Sequence, residues 1–174
     1  FCRLDDHEIR LREPVMQPDA LLIQDPTLLH QVDVFSGLKK DGFILINTTR
    51  TFEQLGLGEF ASGFKPAHLL TVPATELAMK HVGRPVPNVP MLGAFAALGG
   101  LVTLDAVHAA IRRKFKGAVA DGNVAAATEA YEIVMEQEKQ AEGAAAPGRP
   151  EQGTAPAGGS AVREATNVGA NQHA

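Results

Sequence analysis

The stretch PDALLIQDPTLLHQVDVFSGLKKDGFILINTT, residues 18–49, holds two short apolar runs separated by a helical pattern. The runs cover residues 20–25 and 43–49, and turn-forming residues flank each of them, as is typical of strands buried on both faces. Between them, Pro26 suits the first position of a helix and Gly37 suits its end. A strand, a helix and a second strand in this order predict a right-handed parallel crossover.

A third apolar run, HLLTVPA at residues 68–74, follows a glycine-rich connection from Leu55 to Gly63. We interpret this connection as a flexible loop, because its glycines do not complete the GxGxxG pattern of a phosphate-binding turn. The third run leads into a helical pattern that ends at Gly83. The sequence therefore predicts an α/β fold, with a mostly parallel, buried sheet and flanking helices in three layers.

Helical patterns dominate the chain after Gly83. The first of these helices is expected to start at Pro90, and it is apolar nearly all round, so we expect it to be buried against the sheet or against a partner. Two further helices complete the predicted domain. The last runs from about Asn123 to Gln140, after a turn at Asp121 and Gly122.

The two ends of the chain differ from its middle. The segment FCRLDDHEIRLR predicts a hairpin with its turn at Asp5 and Asp6, and a protein rarely begins inside a hairpin. Residues 141–174 are mainly Ala, Gly, Pro, Gln and Glu, a composition that buries too little apolar surface to offset its ordering entropy. We therefore expect an N-terminally incomplete domain over residues 1–140 and a disordered tail over residues 141–174.

Charge and cysteine content exclude several classes of partner and site. The net charge is −4 and the basic residues are dispersed, which argues against binding to nucleic acid or to an anionic membrane. No apolar run approaches the roughly 20 residues of a membrane-spanning helix, and no signal peptide is visible, so a cytoplasmic location is expected. Cys2 is the only cysteine, which leaves a cysteine-bound iron–sulfur cluster without most of its ligands.

Motifs of autonomous catalysis are missing from the sequence. The six histidines include no HExxH pair, and no serine lies in a GxSxG turn. The segment KKDGFILINTTR, residues 39–50, is similar to a strand in the NAD-binding domain of D-2-hydroxyacid dehydrogenases, but the glycine fingerprint of that domain is absent. That dehydrogenase and a stand-alone α/β binding module remain alternative interpretations.

A broader resemblance starts at GRPVPNVPMLGAFAALGGLVTL, residues 83–104. This stretch resembles the GxPxxNxxMLGA segment of the gamma subunits of pyruvate-type 2-oxoacid:ferredoxin oxidoreductases. The segments PDALLIQDPTLL, GLKKDGFILINT and LTVPATELAMKHVGRP resemble further segments of these subunits in the same order, so the likeness spans about Phe1 to Val134. Pro73 stands where the family usually has Asp, Gly99 stands where Thr is common, and the family's upstream glycine-rich segment is absent.

The resemblance implies a non-catalytic gamma subunit of an enzyme that oxidatively decarboxylates a 2-oxoacid, by default pyruvate, to an acyl-CoA. Branched-chain, phenylglyoxylate and indolepyruvate enzymes use related domains. In the family, partner subunits of alpha, beta and delta type hold thiamine diphosphate, magnesium and the iron–sulfur clusters. Coenzyme A is a co-substrate and ferredoxin accepts the electrons, so no cofactor is expected on this chain alone.

Candidate ligand-facing or partner-facing residues lie where strands or loops open into helices, at the edge of a parallel sheet where ligands usually bind. The alternative is that the same residues only cap helices, end strands or shape turns. The candidates are Asp25, Thr27, Asn47, Thr48, Asn88 and Met91.

Overall fold

A computed structural model describes residues 2–10, 13–30, 33–98 and 100–145 of the chain. Three short parallel strands, β1 (Ala20–Ile23), β2 (Phe43–Asn47) and β3 (Leu69–Val72), form one sheet in the order β1-β2-β3. All three lie within the predicted apolar runs. The α/β fold and the parallel direction of the strands are therefore confirmed.

Helices surround this sheet. Two short 3-10 helices precede β2 and β3, and the first of the α-helices is a single turn. The 3-10 helices cover Pro26–His30 and Pro66–His68, and the α-helices are α1 (Gly58–Ala61), α2 (Ala74–Val82), α3 (Asn88–Ala97), α4 (Leu104–Lys114) and α5 (Gly117–Ala145).

The central strand β2 is buried on both faces, because successive side chains of a strand point to opposite sides. Leu45 packs with Leu70 and with residues of α2, α3 and α5. Ile44 and Ile46 pack on the other face, together with Phe52 and residues of the β2–β3 connection. The sheet therefore separates two hydrophobic cores, which is the three-layer arrangement that its continuous apolar sequence predicts.

Helix α5 is the longest element and packs against α2, α3 and α4. Three of its alanines, Ala126, Ala127 and Ala130, are fully buried, and such small side chains let the neighbouring backbones approach closely. A Cβ atom on Gly93 of α3 would collide with the backbone of Ala127, and one on Gly122 would collide with the carbonyl oxygen of His81. Both glycines are therefore required by helix packing rather than by turn geometry.

Several predicted elements differ from the observed ones. The helix expected after β1 is a 3-10 helix of five residues with no buried side chain, so it lacks the packing that would lengthen it. The glycine-rich connection contains α1, whose Phe60 packs on the core beneath it, so it is not simply a flexible loop. Helix α3 begins at Asn88, two residues before Pro90.

The predicted turn at Asp121 is wrong, because α5 already begins at Gly117 and runs through Asp121, Gly122 and Asn123. Asn123 donates a hydrogen bond from Nδ2 to the carbonyl oxygen of Val119 within the helix, 2.8 Å away. Helix α5 also extends five residues beyond Gln140. The remainder of the predicted tail, residues 146–174, lies outside the described residues.

No strand occurs within residues 2–10, so the described part of the predicted N-terminal hairpin is wrong. Arg3 donates from Nη2 to the carbonyl oxygens of Glu13 and Pro14. Two other side chains bond to groups two residues away: Asp5 to the main chain of His7, and Glu8 to Arg10. Such local hydrogen bonds favour bends over an extended ladder. Phe1, Leu11 and Arg12 lie outside the described residues.

Helix α2 is joined to α5 by a cluster of charged side chains. Lys80 donates from Nζ to both carboxylate oxygens of Glu129 at 2.8 Å, and Nε2 of His81 lies 2.6 Å from Glu129 Oε2. The hydrogen bond from Lys80 and then that from His81 hold the pKa of Glu129 below its ordinary value. The carboxylate therefore stabilises this contact as an anion.

We expect Gly93→Ala to destabilise the fold by about 1–3 kcal/mol, because the added methyl group forces α3 away from α5. Gly143→Ala is the control on the other helix of this contact, α5, since nothing lies within 4 Å of the added atom there. That control should stabilise the helix by about 0.5–1 kcal/mol. Urea unfolding of both variants measures the difference, and equal effects would contradict the close packing.

Glu129→Gln tests the pH dependence of the α2–α5 contact. Because the pKa of Glu129 is lowered in the fold, its stabilisation is complete above the ordinary value of 4.5 and is lost as the pH falls through the folded-state pKa. The loss of stability in Glu129→Gln should therefore be largest near neutral pH and vanish in acid. Unfolding free energies measured from pH 7 down to pH 3 check this, with Glu132→Gln on the same helix as the control; a difference independent of pH contradicts it.

Candidate functional site

The carboxyl ends of the three parallel strands meet at one edge of the sheet. We call this the carboxyl edge and define it as residues 24–27 after β1, residues 47–50 at the end of β2, and residues 73–75 at the start of α2. Four of the six predicted site residues belong to it. The sequence places them together because parallel strands all end at the same side.

Asn47 is the most connected side chain of the carboxyl edge, and it is only 8% exposed. Its Nδ2 donates to the carbonyl oxygen of Gln24 and to the hydroxyl oxygen of Thr75, both at 2.8 Å. Its Oδ1 accepts a 3.1 Å hydrogen bond from the main-chain nitrogen of Thr75. Asn47 therefore ties the end of β1 to the first turn of α2, which has no cap from its own Pro73.

Asp25 and Thr27 lie in the exposed part of the carboxyl edge. The Asp25 carboxylate accepts hydrogen bonds from the hydroxyl of Thr27 at 2.7 Å and from its main-chain nitrogen at 2.9 Å. The hydroxyl bond, followed by the main-chain bond, lowers the pKa of Asp25. The result is an anionic group held in a fixed position at the surface.

Thr48 is half-buried and continues the ladder beyond β2. Its main-chain nitrogen donates to the carbonyl oxygen of Val72 at 3.0 Å, and its hydroxyl oxygen accepts from the main-chain nitrogen of Arg50 at 3.2 Å. The side chains of Thr49 and Arg50 are exposed beside it. The carboxyl edge thus presents one carboxylate, one guanidinium group and several hydroxyls to the outside.

Asn88 and Met91 occupy the first turn of α3 and differ from each other. Asn88 is exposed, and its side chain makes no hydrogen bond to any other described residue. Met91 is 1% exposed and packs with Leu45 and Leu70 in the core. Only Asn88 therefore offers a polar group to a partner, and the ligand-facing role of all six residues stays a prediction.

The polar groups of the carboxyl edge include one carboxylate, one guanidinium group, hydroxyls and the amide of Asn47. The described residues contain no group of three or more His, Cys, Asp or Glu side chains that is arranged to hold a metal ion. Sequence analysis missed Thr75 and Gln24, which complete the Asn47 network. A threonine just after a predicted strand was a signal for Thr75, whereas Gln24 contributes only its main chain and leaves no signal in the sequence.

A sequence profile of a known family, described as "Pyruvate ferredoxin/flavodoxin oxidoreductase", matches residues 1–133. The chain belongs to this family. It is 42% identical over 132 residues to a protein named pyruvate synthase subunit PorC from Methanothermobacter marburgensis, a match that covers 76% of this chain and 69% of the relative. The resemblance to gamma subunits that the sequence suggested is thus confirmed.

Other relatives agree with this family membership. The chain is 39% identical to a "Pyruvate/ketoisovalerate oxidoreductases common subunit gamma" from Pyrococcus abyssi, with 76% of this chain and 70% of the relative covered. The crystal structure of pyruvate oxidoreductase subunit PORC from Thermotoga maritima matches with a TM-score of 0.59 and 34% identity. That match covers 68% of this chain and 65% of the other, so the chain spans about two thirds of the length of these relatives.

These matches decide between the interpretations left open by the sequence. The likeness to D-2-hydroxyacid dehydrogenases concerned one strand, whereas the oxidoreductase family profile covers residues 1–133. The gamma-subunit interpretation is therefore supported over the dehydrogenase domain and the stand-alone module. Among the described helices of this family member, none combines the length and the apolar character needed to span a bilayer.

Replacement of Asn47 by Ala should destabilise the fold by about 2–3 kcal/mol, because Gln24 and Thr75 lose their partners in a buried setting. Thr75→Ala is the graded control, since it removes one hydrogen bond and leaves the other two bonds of Asn47 in place. Its loss should be about 1 kcal/mol. Denaturant unfolding of both variants measures the two losses, and a larger loss in Thr75→Ala than in Asn47→Ala would contradict the role of Asn47 in joining β1 to α2.

Proposed function

We propose that the chain is the gamma subunit of a pyruvate:ferredoxin oxidoreductase, the complex that converts pyruvate and coenzyme A to acetyl-CoA and passes electrons to ferredoxin. The observation that carries this proposal is the family match over residues 1–133, together with relatives named as PorC and gamma subunits at about 40% identity. The fold and the order of motifs support the same assignment.

Within the complex the chain acts as a non-catalytic subunit. Thiamine diphosphate, magnesium and the iron–sulfur clusters belong to partner subunits of alpha, beta and delta type, and coenzyme A binds as co-substrate. The residues of this chain support that division, because a four-cysteine cluster cannot be built from the single Cys2. The polar side chains at the carboxyl edge also bond mainly to one another. A cytoplasmic location follows from the same assignment.

Apolar side chains around α3 support a docking role. Most of α3 is covered by α5 and the sheet, but Leu92 is 38% exposed and Leu101, just beyond the helix, is 65% exposed. Leu101 also lines a recess of about 200 Å³ at the amino end of β2, together with Phe43, Phe95 and Leu98. Exposed leucines and an apolar recess on one part of the surface are typical of a region that another subunit covers.

Subunit omission tests the proposal. The alpha, beta and delta subunits are co-expressed with and without this chain, and complex mass is measured together with pyruvate- and coenzyme A-dependent reduction of ferredoxin. We expect co-purification in one stoichiometric complex and activity only when this chain is present. A chain that stays monomeric beside its candidate partners, or a complex equally active without it, would contradict the assignment.

A second candidate is a gamma subunit shared between two enzymes. Relatives from Pyrococcus abyssi and Thermococcus litoralis are named as common to pyruvate and ketoisovalerate oxidoreductases, at 39% identity each. Assembly of this chain with catalytic subunits of each enzyme separates the two possibilities. Activity with both oxoacids supports the shared subunit, and assembly with one set alone restricts it to that enzyme.

Asn88→Ala should lower the activity of the reconstituted complex while leaving the stability of this subunit nearly unchanged, because its exposed amide bonds to no described residue. Met91→Ala in the same turn of α3 should instead destabilise the subunit by about 2–5 kcal/mol through the cavity it leaves. Activity and melting temperature are measured for both, with exposed Glu132→Ala as the control. Equal losses of activity in Asn88→Ala and Glu132→Ala would remove any role of Asn88 in the complex.

A further inference from the structure

The outer edge of β3 can be followed group by group from the ladder to β2. The main-chain nitrogen of Thr48 donates to the carbonyl oxygen of Val72 at 3.0 Å, so Val72 faces β2. In a parallel sheet the nitrogen and the carbonyl oxygen of one residue point to the same side, and the next residue points to the other side. Thr71 therefore directs both its N–H and its C=O groups away from the sheet.

Gln137 of α5 occupies the position that a fourth strand would take. Its Nε2 donates to the carbonyl oxygen of Thr71 at 2.7 Å, and its Oε1 accepts from the nitrogen of Thr71 at 3.2 Å. A primary amide presents the same donor and acceptor as a peptide group. Both outward groups of Thr71 are thus engaged by one side chain from a helix 66 residues later in the chain.

The next residues that face outward, Leu69 before Thr71 and Pro73 after it, have no free N–H group. The nitrogen of Leu69 donates to the carbonyl oxygen of Pro66 in the preceding 3-10 helix. Pro73 has no N–H group, and its carbonyl oxygen accepts from Leu77 at 3.0 Å in α2. From Leu69 to Pro73, every outward main-chain N–H group is either bonded or absent, so an incoming strand finds no donor to pair with.

The opposite edge of the sheet differs. The carbonyl oxygen of Asp19 accepts from the nitrogen of Phe43 at 2.9 Å, so Asp19 faces β2 and the alternation turns Ala20 and Leu22 outward. No hydrogen bond joins the outward main-chain groups of these two residues to another described residue. The outward main-chain groups of Thr71 in β3 are therefore bonded, whereas those of Ala20 and Leu22 in β1 have no bond to another described residue. Strand length does not explain this difference, because both strands have four residues.

We propose that the side chain of Gln137 takes the place of a neighbouring strand at the outer edge of β3. Together with Pro73, it prevents this edge from pairing with the same edge of a second copy of the chain. An unpaired strand edge is a template for edge-to-edge association, and natural proteins block it with prolines or with covering elements. The proposal is independent of the oxidoreductase assignment, because it concerns the sheet of the isolated chain.

Gln137→Leu in the full chain tests this role, since it keeps the side-chain volume and removes both hydrogen bonds. Hydrogen–deuterium exchange should show the amide of Thr71 losing roughly tenfold or more of its protection, while the amide of Ile46 in β2 keeps its own. Sedimentation velocity over a range of concentrations should show association of the variant. Gln140→Leu, one turn later on α5, is the control and should behave like the parent chain.

A second variant keeps the test valid if Gln137→Leu fails to fold. Gln137→Glu retains an acceptor for the nitrogen of Thr71 but loses the donor to its carbonyl oxygen at neutral pH. It should therefore keep the amide of Thr71 protected and still associate more than the parent chain. Unchanged protection and unchanged sedimentation in both variants, or the same association in Gln140→Leu, would overturn the proposal.

Discussion

The close contact between the backbones of α3 and α5 is the constraint on which the rest of the molecule depends. It requires a glycine at position 93, since a Cβ atom there would collide with the main chain of the fully buried Ala127. Because α5 also packs on α2 and α4, its position holds the three shorter helices together. The same position brings Gln137 to the outer edge of β3.

The sequence pattern was sufficient to predict the elements that depend on neighbouring residues or on burial. Continuous apolar runs gave the three strands within a residue or two, and Gly83 ends α2 in the left-handed conformation that a glycine adopts readily. The start of α5 was missed because Asp121, Gly122 and Asn123 together favour a turn. In the structure Gly122 serves packing against α2 instead, a cause that depends on a distant residue.

Part of the candidate site was predictable from the positions of the predicted strands. Asp25, Asn47 and Thr48 follow strands, and parallel strands bring their ends together. The partners of Asn47 and Thr71 were not predictable, since the hydrogen bonds to Thr75 and Gln137 join residues 28 and 66 positions apart. The structure shows that these residues differ: Asn47 is buried and joins the end of β1 to α2, whereas Asp25 and Asn88 are exposed.

The separation of Thr71 and Gln137 along the chain also determines how long β3 stays uncovered during synthesis. A ribosome adds residues from the N-terminus at roughly 5–20 per second, so the 66 residues between the two positions take about 3–13 s to be made. Throughout that interval β3 exists without the side chain that covers it. The nascent chain therefore passes through a period in which the outer edge of β3 is uncovered, and synthesis of α5 ends that exposure.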